Sequence, residues 1–241
     1  MGHRTLHGRI RYTSNQEHRL GAERGWENFI QTVHPDGRRT LQARCEIDDP
    51  PPVLRHVTLS LDPTWRPLDC FVRLDVGGDF MGSGWFHFTD RRAESESINV
   101  RDGRISQRMD LDGAIAGLGS HPIAGDAWLL GSFDLSQGPG RQFRKNYMLT
   151  SPDHRGATGP ALFRLGMSIV FVGEERVTVE AGTFDALHFQ FTDTAEDLPE
   201  EHPPYDIWCT ADGDYVFLKA AVGGYMQTAY ELVSLTDERS S

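Results

Sequence analysis

Three cysteines in 241 residues, Cys45, Cys70 and Cys209, are too few and too far apart for a CxxC metal pair or a disulfide framework. They read instead as reduced thiols, with Cys45 and Cys209 at apolar positions of strand-like runs, where a free cysteine behaves as a small hydrophobe. No window approaches about 18 consecutive apolar residues, which excludes a membrane-spanning helix. An excess of basic charge is missing too. With 24 basic against 35 acidic residues the net charge is −11, which repels phosphate backbones and anionic lipid surfaces and excludes nucleic acid and membrane as expected partners. The N-terminal MGHRTLHGRIRYTS is basic, but no apolar stretch or small-residue cleavage site of a secretory signal follows it, so the expected location is the cytoplasm.

The signatures of most familiar chemistries are also missing. There is no HxH or HExxH, and His3 and His7, the two histidines closest in sequence, sit on a terminal segment, so no metal is expected. No GxSxG elbow and no thiol-hydrolase signature appears. The glycine-rich VGGDFMGSG lacks the Lys-Ser/Thr ending of a phosphate-binding loop. No cofactor is therefore expected.

What is present is alternation at period two, the mark of a half-buried strand. In RTLQARCEID the apolar set is Leu41, Ala43, Cys45 and Ile47, with Gln42, Arg44 and Glu46 between. Pro35, Asp36 and Gly37 join this run to the one before it, so residues 25 to 48 read as a hairpin. VLRHVTLSLD, LDCFVRLDV, GWFHFT, RAESESINV and RISQRMDL continue the meander. After Gly113 the pattern breaks into AIAGLGSHPIAGDAWLLGSF, whose mixed three- and four-residue apolar spacing around Trp128 predicts one or two short helices. LSQGPGRQF and SPDHRGATGP read as loops, and TAEDLPEEHPP as an exposed loop. Between them strands resume with RKNYMLT, LFRLGMSIVFVGEERVTV, FDALHFQFTD, YDIWCTA, DYVFLKAAV and YMQTAYELVSL, with Asp212-Gly213 as the strongest hairpin signal.

Strand follows strand every 8 to 12 residues with one helical interlude and no βαβ alternation. The expected fold is all-β: an antiparallel curved sheet or open β-barrel with a short helical insertion. It forms a single domain over 1–241, with a strand meander at 3–111, a helical segment at 113–133 and a second strand set at 144–235.

The C-terminal third carries Val177-x-Val179-x-Ala181-Gly182-Thr183-Phe184, then a strand, a tryptophan strand with Trp208 in DIWCT, and a final strand containing YEL. In this it resembles a family of bacterial β-rich proteins classified as a domain of unknown function. The resemblance covers roughly residues 165 to 235 and implies an open curved sheet of the lipoprotein-carrier kind. Many members of that family are exported, and this chain departs from them in showing no signal sequence. The family supplies no catalytic residues to carry over.

Candidate site residues follow from polar groups in apolar contexts. His121 precedes Pro122, which suits a helix starting at the proline, and Asp126 on the same segment can orient an imidazole and raise its basicity. The alternative is His121 packed at the helix start, Asp126 solvated and Trp128 in the core. Arg55 lies among Val57, Leu59 and Leu61, where a guanidinium needs a carboxylate such as Asp69 or an anionic ligand. Trp85 and His87 share one face of GWFHFT, and His188 shares a face with Phe184 and Ala186.

Two functions fit. One is a metal- and nucleotide-independent acid-base enzyme (lyase, isomerase or cyclase) acting on a hydrophobic or aromatic small molecule. Here His121 is the base, Asp126 its orienter, Tyr147 the proton donor and Arg55 the anchor, and Trp85, His87, Trp128, His188 and Trp208 contact the substrate. The other is a non-catalytic carrier or sensor of such a molecule, which needs the aromatics alone.

Overall fold

The first and last strands of the chain lie side by side at the middle of one sheet. The computed structural model describes residues 2–193, 204–224 and 226–239. The meander comprises β1 (Arg4–Ser14), β2 (Glu23–Val33), β3 (Arg39–Ile47), β4 (Val53–Leu61), β5 (Pro67–Val76), β6 (Asp79–Thr89), β7 (Arg92–Asn99) and β8 (Gly103–Asp110). The interlude holds β9 (Gly117–Gly119) and α1 (Ile123–Leu129). The second set is β10 (Gly140–Leu149), β11 (Phe163–Val179), β12 (Gly182–Asp193), β13 (Tyr205–Thr210), β14 (Phe217–Val222) and β15 (Thr228–Arg239). All fifteen form one sheet in the order β8 to β1, then β15 down to β9. Two meanders are thus joined by the antiparallel pairing of β1 with β15, from Arg4 opposite Arg239 to Ser14 opposite Thr228, with one register shift between Arg9 and Ile10.

This is the curved, open all-β architecture expected from the alternation. In β3 the buried residues are Leu41, Ala43 and Cys45, and in β4 they are Val53, Arg55, Val57, Leu59 and Leu61. Alternate side chains of most strands thus reach one shared core. Into that core the sheet wraps α1, of which Ile123, Ala124, Gly125, Ala127, Trp128 and Leu129 are buried. A helix apolar on nearly every side is stable only when surrounded. The left-handed His121 (φ 78°) turns the chain, and Pro122 sets the helix entry.

Several boundaries differ from the sequence reading. The segment at 113–133 is not wholly helical, because Gly117–Gly119 forms a short strand parallel to β10. β10 begins at Gly140, inside the stretch read as a glycine and proline loop, and Asp212-Gly213 sits in a connection longer than a two-residue turn. Of TAEDLPEEHPP, residues 194–203 lie outside the described residues.

The end strands β8 and β9 do not pair with each other, so strand ladders leave the barrel open along one seam. Gln107 of β8 bridges it. Its side-chain amide donates to the Leu162 carbonyl at 2.9 Å and accepts from the Leu162 N–H at 2.7 Å, so one side chain makes the two bonds that a neighbouring strand would make. Ser95 steadies it with a 3.0 Å bond to the same amide oxygen. Gln107→Ala leaves the buried Leu162 backbone unsatisfied and is expected to cost about 2 kcal/mol. Hydrogen–deuterium exchange read at the Leu162 amide should accelerate well beyond that of the β3 amides; equal acceleration at both would contradict a clasp at the seam.

Candidate functional site

One end of the barrel holds a cavity of about 230 Å³ between α1 and the sheet. Four ionisable side chains, Arg55, Asp153, Glu27 and Asp126, organise it and the elements around it.

Arg55 reaches inward from β4 and is 1% exposed. Its Nε donates to the Ser120 carbonyl at 3.0 Å, Nη1 to the Gly156 carbonyl at 2.6 Å and Nη2 to the Thr150 hydroxyl at 2.6 Å. The guanidinium thus ties β4 to the ends of β9 and β10 and to the 151–160 loop. A fork of fixed donors suits three acceptors held at fixed angles. Gly156 (φ 63°) is required here: a Cβ on it would come within 2.7 Å of the His121 ring and 2.9 Å of Arg55 Nη1. His121 and Arg55 therefore meet over this glycine. The same loop is pinned by Asp153, which accepts bonds from Ser151, Thr158 and the N–H groups of Arg155, Ala157 and Thr158. Burial pushes the Asp153 carboxyl up, but its hydrogen bonds with Thr158, Ala157 and Ser151 and the charge of His121 outweigh it and hold the group at about 2.

Glu27 reaches inward from β2 and is fully buried. Its carboxylate accepts the Tyr12 hydroxyl at 2.7 Å and the Ile123 and Ala124 N–H groups at 2.8 and 3.0 Å. It thus satisfies the free donors of the first turn of α1 from another element. Burial outweighs these bonds and raises the carboxyl to about 7. Asp126, on α1 itself, accepts the Tyr205 hydroxyl at 2.8 Å. Burial raises it likewise to about 7 against that bond.

The cavity is lined by His121, Asp126, Cys45 and the phenol-bearing Tyr12, Tyr205 and Tyr230, over an apolar floor that includes Met167 and Phe191. Arg24 and Arg155 stand at its rim and spend their donors on structure. Arg24 pairs with Asp49, and Arg155 donates to the Asp49 and Pro51 carbonyls at 2.7 Å each.

Of the residues singled out from sequence, the structure brings Arg55, His121 and Asp126 to this cavity. The others are elsewhere. Tyr147 is buried beneath Gly117, its hydroxyl donates to the Leu129 carbonyl at 3.3 Å, and burial pushes it up to about 12. Trp128 is core, edge-on to Trp65. Trp85 and His87 stack on each other on the outer face of β6, with Trp85 37% exposed. His188 and Trp208 stack at 4.1 Å on the outer face of β12 and β13, with His188 Nε2 2.7 Å from Asp206 and Lys219 over the indole. Asp69 points outward from β5, away from Arg55, whose bonds go to carbonyls and a hydroxyl instead. Asp126 is bonded to Tyr205, and the carboxylate that feels the His121 charge is Asp153.

Fold and cavity together define a β-barrel-like protein with an open curved sheet closed over an internal helix. Among solved structures the chain is similar to a β-barrel-like protein of the domain of unknown function DUF1849 from Brucella abortus. The likeness has a TM-score of 0.59 and 13% identity and covers 99% of this chain and 98% of that one. It is a likeness of fold, and it extends over the whole sheet, beyond the C-terminal third that carries the sequence resemblance. A protein of the DUF1089 family from Pseudomonas aeruginosa matches with a TM-score of 0.45 and 11% identity, over 84% of this chain and 91% of that one. No family model and no curated protein matches the sequence.

Proposed function

We propose that the cavity beside α1 binds a small, mainly apolar molecule with one hydrogen-bonding end, and that the protein acts as its carrier or sensor. The observation that carries this reading is the lining itself: an apolar floor with the Asp126–Tyr205 pair projecting from its wall. A volume of about 230 Å³ lies below the roughly 300–1,000 Å³ of drug-sized sites, which favours a small metabolite. A carboxyl near 7 is partly protonated at neutral pH, so Asp126 can donate to a carbonyl or accept from a hydroxyl.

A second reading is an acid-base enzyme of the lyase, isomerase or cyclase kind. It is favoured by one feature: a carboxyl with a pKa near the working pH is what general acid-base catalysis uses, and Tyr205 is in place as its proton partner. His121 faces the same cavity, whereas Tyr147 and Arg55 spend their hydrogen bonds on the fold.

Ligand-observed NMR against apolar and aromatic metabolites, with products followed by mass spectrometry, separates the two. The expected result is binding by wild type with no product, weakened about tenfold by Asp126→Asn and less by His121→Ala. Turnover abolished by Asp126→Asn with binding retained would establish the enzyme. Absence of any binder up to millimolar concentration would defeat both readings.

A further inference from the structure

A groove of about 1100 Å³ crosses the outer face of the sheet over β15 and β1 to β8, on the side away from α1. The strand register sorts its banks. Along one bank Arg9 on β1 faces Asn28, which faces Arg44 on β3. Then come His56, Arg73 on β5, Ser83, Ile98 and Arg104 on β8. No acidic residue stands in that row. The parallel row on the other bank runs Ile30, Gln42, Thr58, Phe71, Trp85 and Glu96, with Phe71 directly opposite Trp85 and 52% exposed, and with Glu96 at its far end paired with Arg104. A basic row beside an aromatic row, on a chain of net charge −11, is a local reversal of the overall charge.

We propose that this groove is a docking site for an acidic, proline-rich peptide segment in the polyproline II conformation. The spacing supplies the match. Arg9, Arg44 and Arg73 sit on alternate strands, about 9.6 Å apart at the usual strand separation. A polyproline II helix repeats each face every three residues, about 9.3 Å. Acidic residues at every third position therefore meet the three arginines in step, whereas a β-extended peptide repeats its faces about every 6.8 Å and falls out of register. The prolines between the first two acidic residues fall near Ile30 on β2, those at and beyond Arg73 meet Phe71 on β5 and Trp85 on β6, and aromatic-lined grooves are the usual receptors for such segments. Arg104, three strands beyond Arg73, is out of phase and sets the end of the repeat.

The arginines are available for exchange. Arg44 pairs with Glu46 and Arg73 with Asp75, but their side chains are 47% and 55% exposed, and surface pairs of this kind hold weakly. Arg9 rests on the Trp26 ring. Single-stranded nucleic acid, which also asks for cations beside aromatics, is disfavoured by the net charge of the whole chain.

The test is fluorescence anisotropy with a labelled peptide of four Glu-Pro-Pro repeats. Saturable binding is expected, at least tenfold weaker for the Gln-Pro-Pro analogue and for an equally charged peptide with glutamate at every second position. The variants Arg44→Gln with Arg73→Gln, and separately Trp85→Ser, should each lose tenfold or more while retaining the wild-type circular dichroism and melting temperature. Peptide controls on unaltered protein keep the test decisive if a variant misfolds. No saturable binding, indifference to glutamate spacing, or tighter binding of an oligothymidylate of equal charge would overturn the proposal.

Discussion

Arg55→Ala is expected to destabilise the protein by about 4 kcal/mol, the scale of removing one member of a buried, hydrogen-bonded charged network. For a chain of this size that corresponds to a fall in melting temperature of roughly 10 °C. The reason lies in what is left behind. The Ser120 and Gly156 carbonyls and the Thr150 hydroxyl converge on the guanidinium from three separate segments, and none can turn to water once it is gone. Replacing a buried ion by a hydrophobe is often harmless when its partner can be replaced with it; here two of three partners are backbone. Arg55→Met should therefore lose nearly as much as alanine, and Arg55→Lys, a point charge without the fork, should recover only part. Urea denaturation of the three variants decides the matter, and a methionine variant as stable as wild type would show that the network adds no net stability. The 151–160 loop should loosen first, taking with it the wall where His121 packs.

Arg55 was legible in the sequence because a guanidinium interrupts the row Val53, Val57, Leu59 and Leu61. Glu27 makes the same interruption on β2, between Gly25 and Phe29, but glycine and Gln31 blur that row, so its inward direction shows only in three dimensions. Period-two alternation located the meander because each strand there has one wet face. It did not locate the pairing of β1 with β15, whose register depends on contacts more than 200 residues apart. Nor did it place Tyr147. The left-handed Asn146 and the register shift between Arg144 and Tyr147 bury residues 146–149 in succession, which erases the alternation from which a direction is read. Trp85 and His87 were misplaced for a different reason: in GWFHFT both faces are apolar or aromatic, and only the neighbouring strands decide that Phe86 and Phe88 turn inward. Of the cavity phenols, Tyr205 and Tyr230 come from near neighbours of the second strand set, and Tyr12 joins them, opposite Tyr230, through the pairing of β1 with β15, which no local pattern encodes.

Stability is expected to fall as pH rises from 5 to 8, the reverse of the usual behaviour of carboxylates held by salt bridges. Glu27 is raised by burial from an ordinary 4.5 to about 7. Between those values the native state holds a proton that the unfolded chain has released, so this group's contribution is complete below about 4.5 and is lost as pH climbs through 7. A shift of that size is about 3 kcal/mol. Asp126 is raised from 3.8 to about 7 by the same cause and adds a loss of the same sign. Asp153, held at about 2, acts only in strongly acid solution, below that window. Glu27→Gln should remove about 3 kcal/mol of the pH dependence there while lowering stability at pH 5, because a neutral amide cannot reproduce both helix-cap bonds and the Tyr12 bond. Urea midpoints at pH 5, 6, 7 and 8 for wild type, Glu27→Gln and Asp126→Asn provide the check; a wild-type profile that is flat, or that survives both substitutions, would rule out raised carboxyls at these positions. Glu27 holds the first turn of α1 and Asp126 lines the cavity from the same helix. A ligand that hydrogen-bonds Asp126 should therefore change affinity within this same pH window.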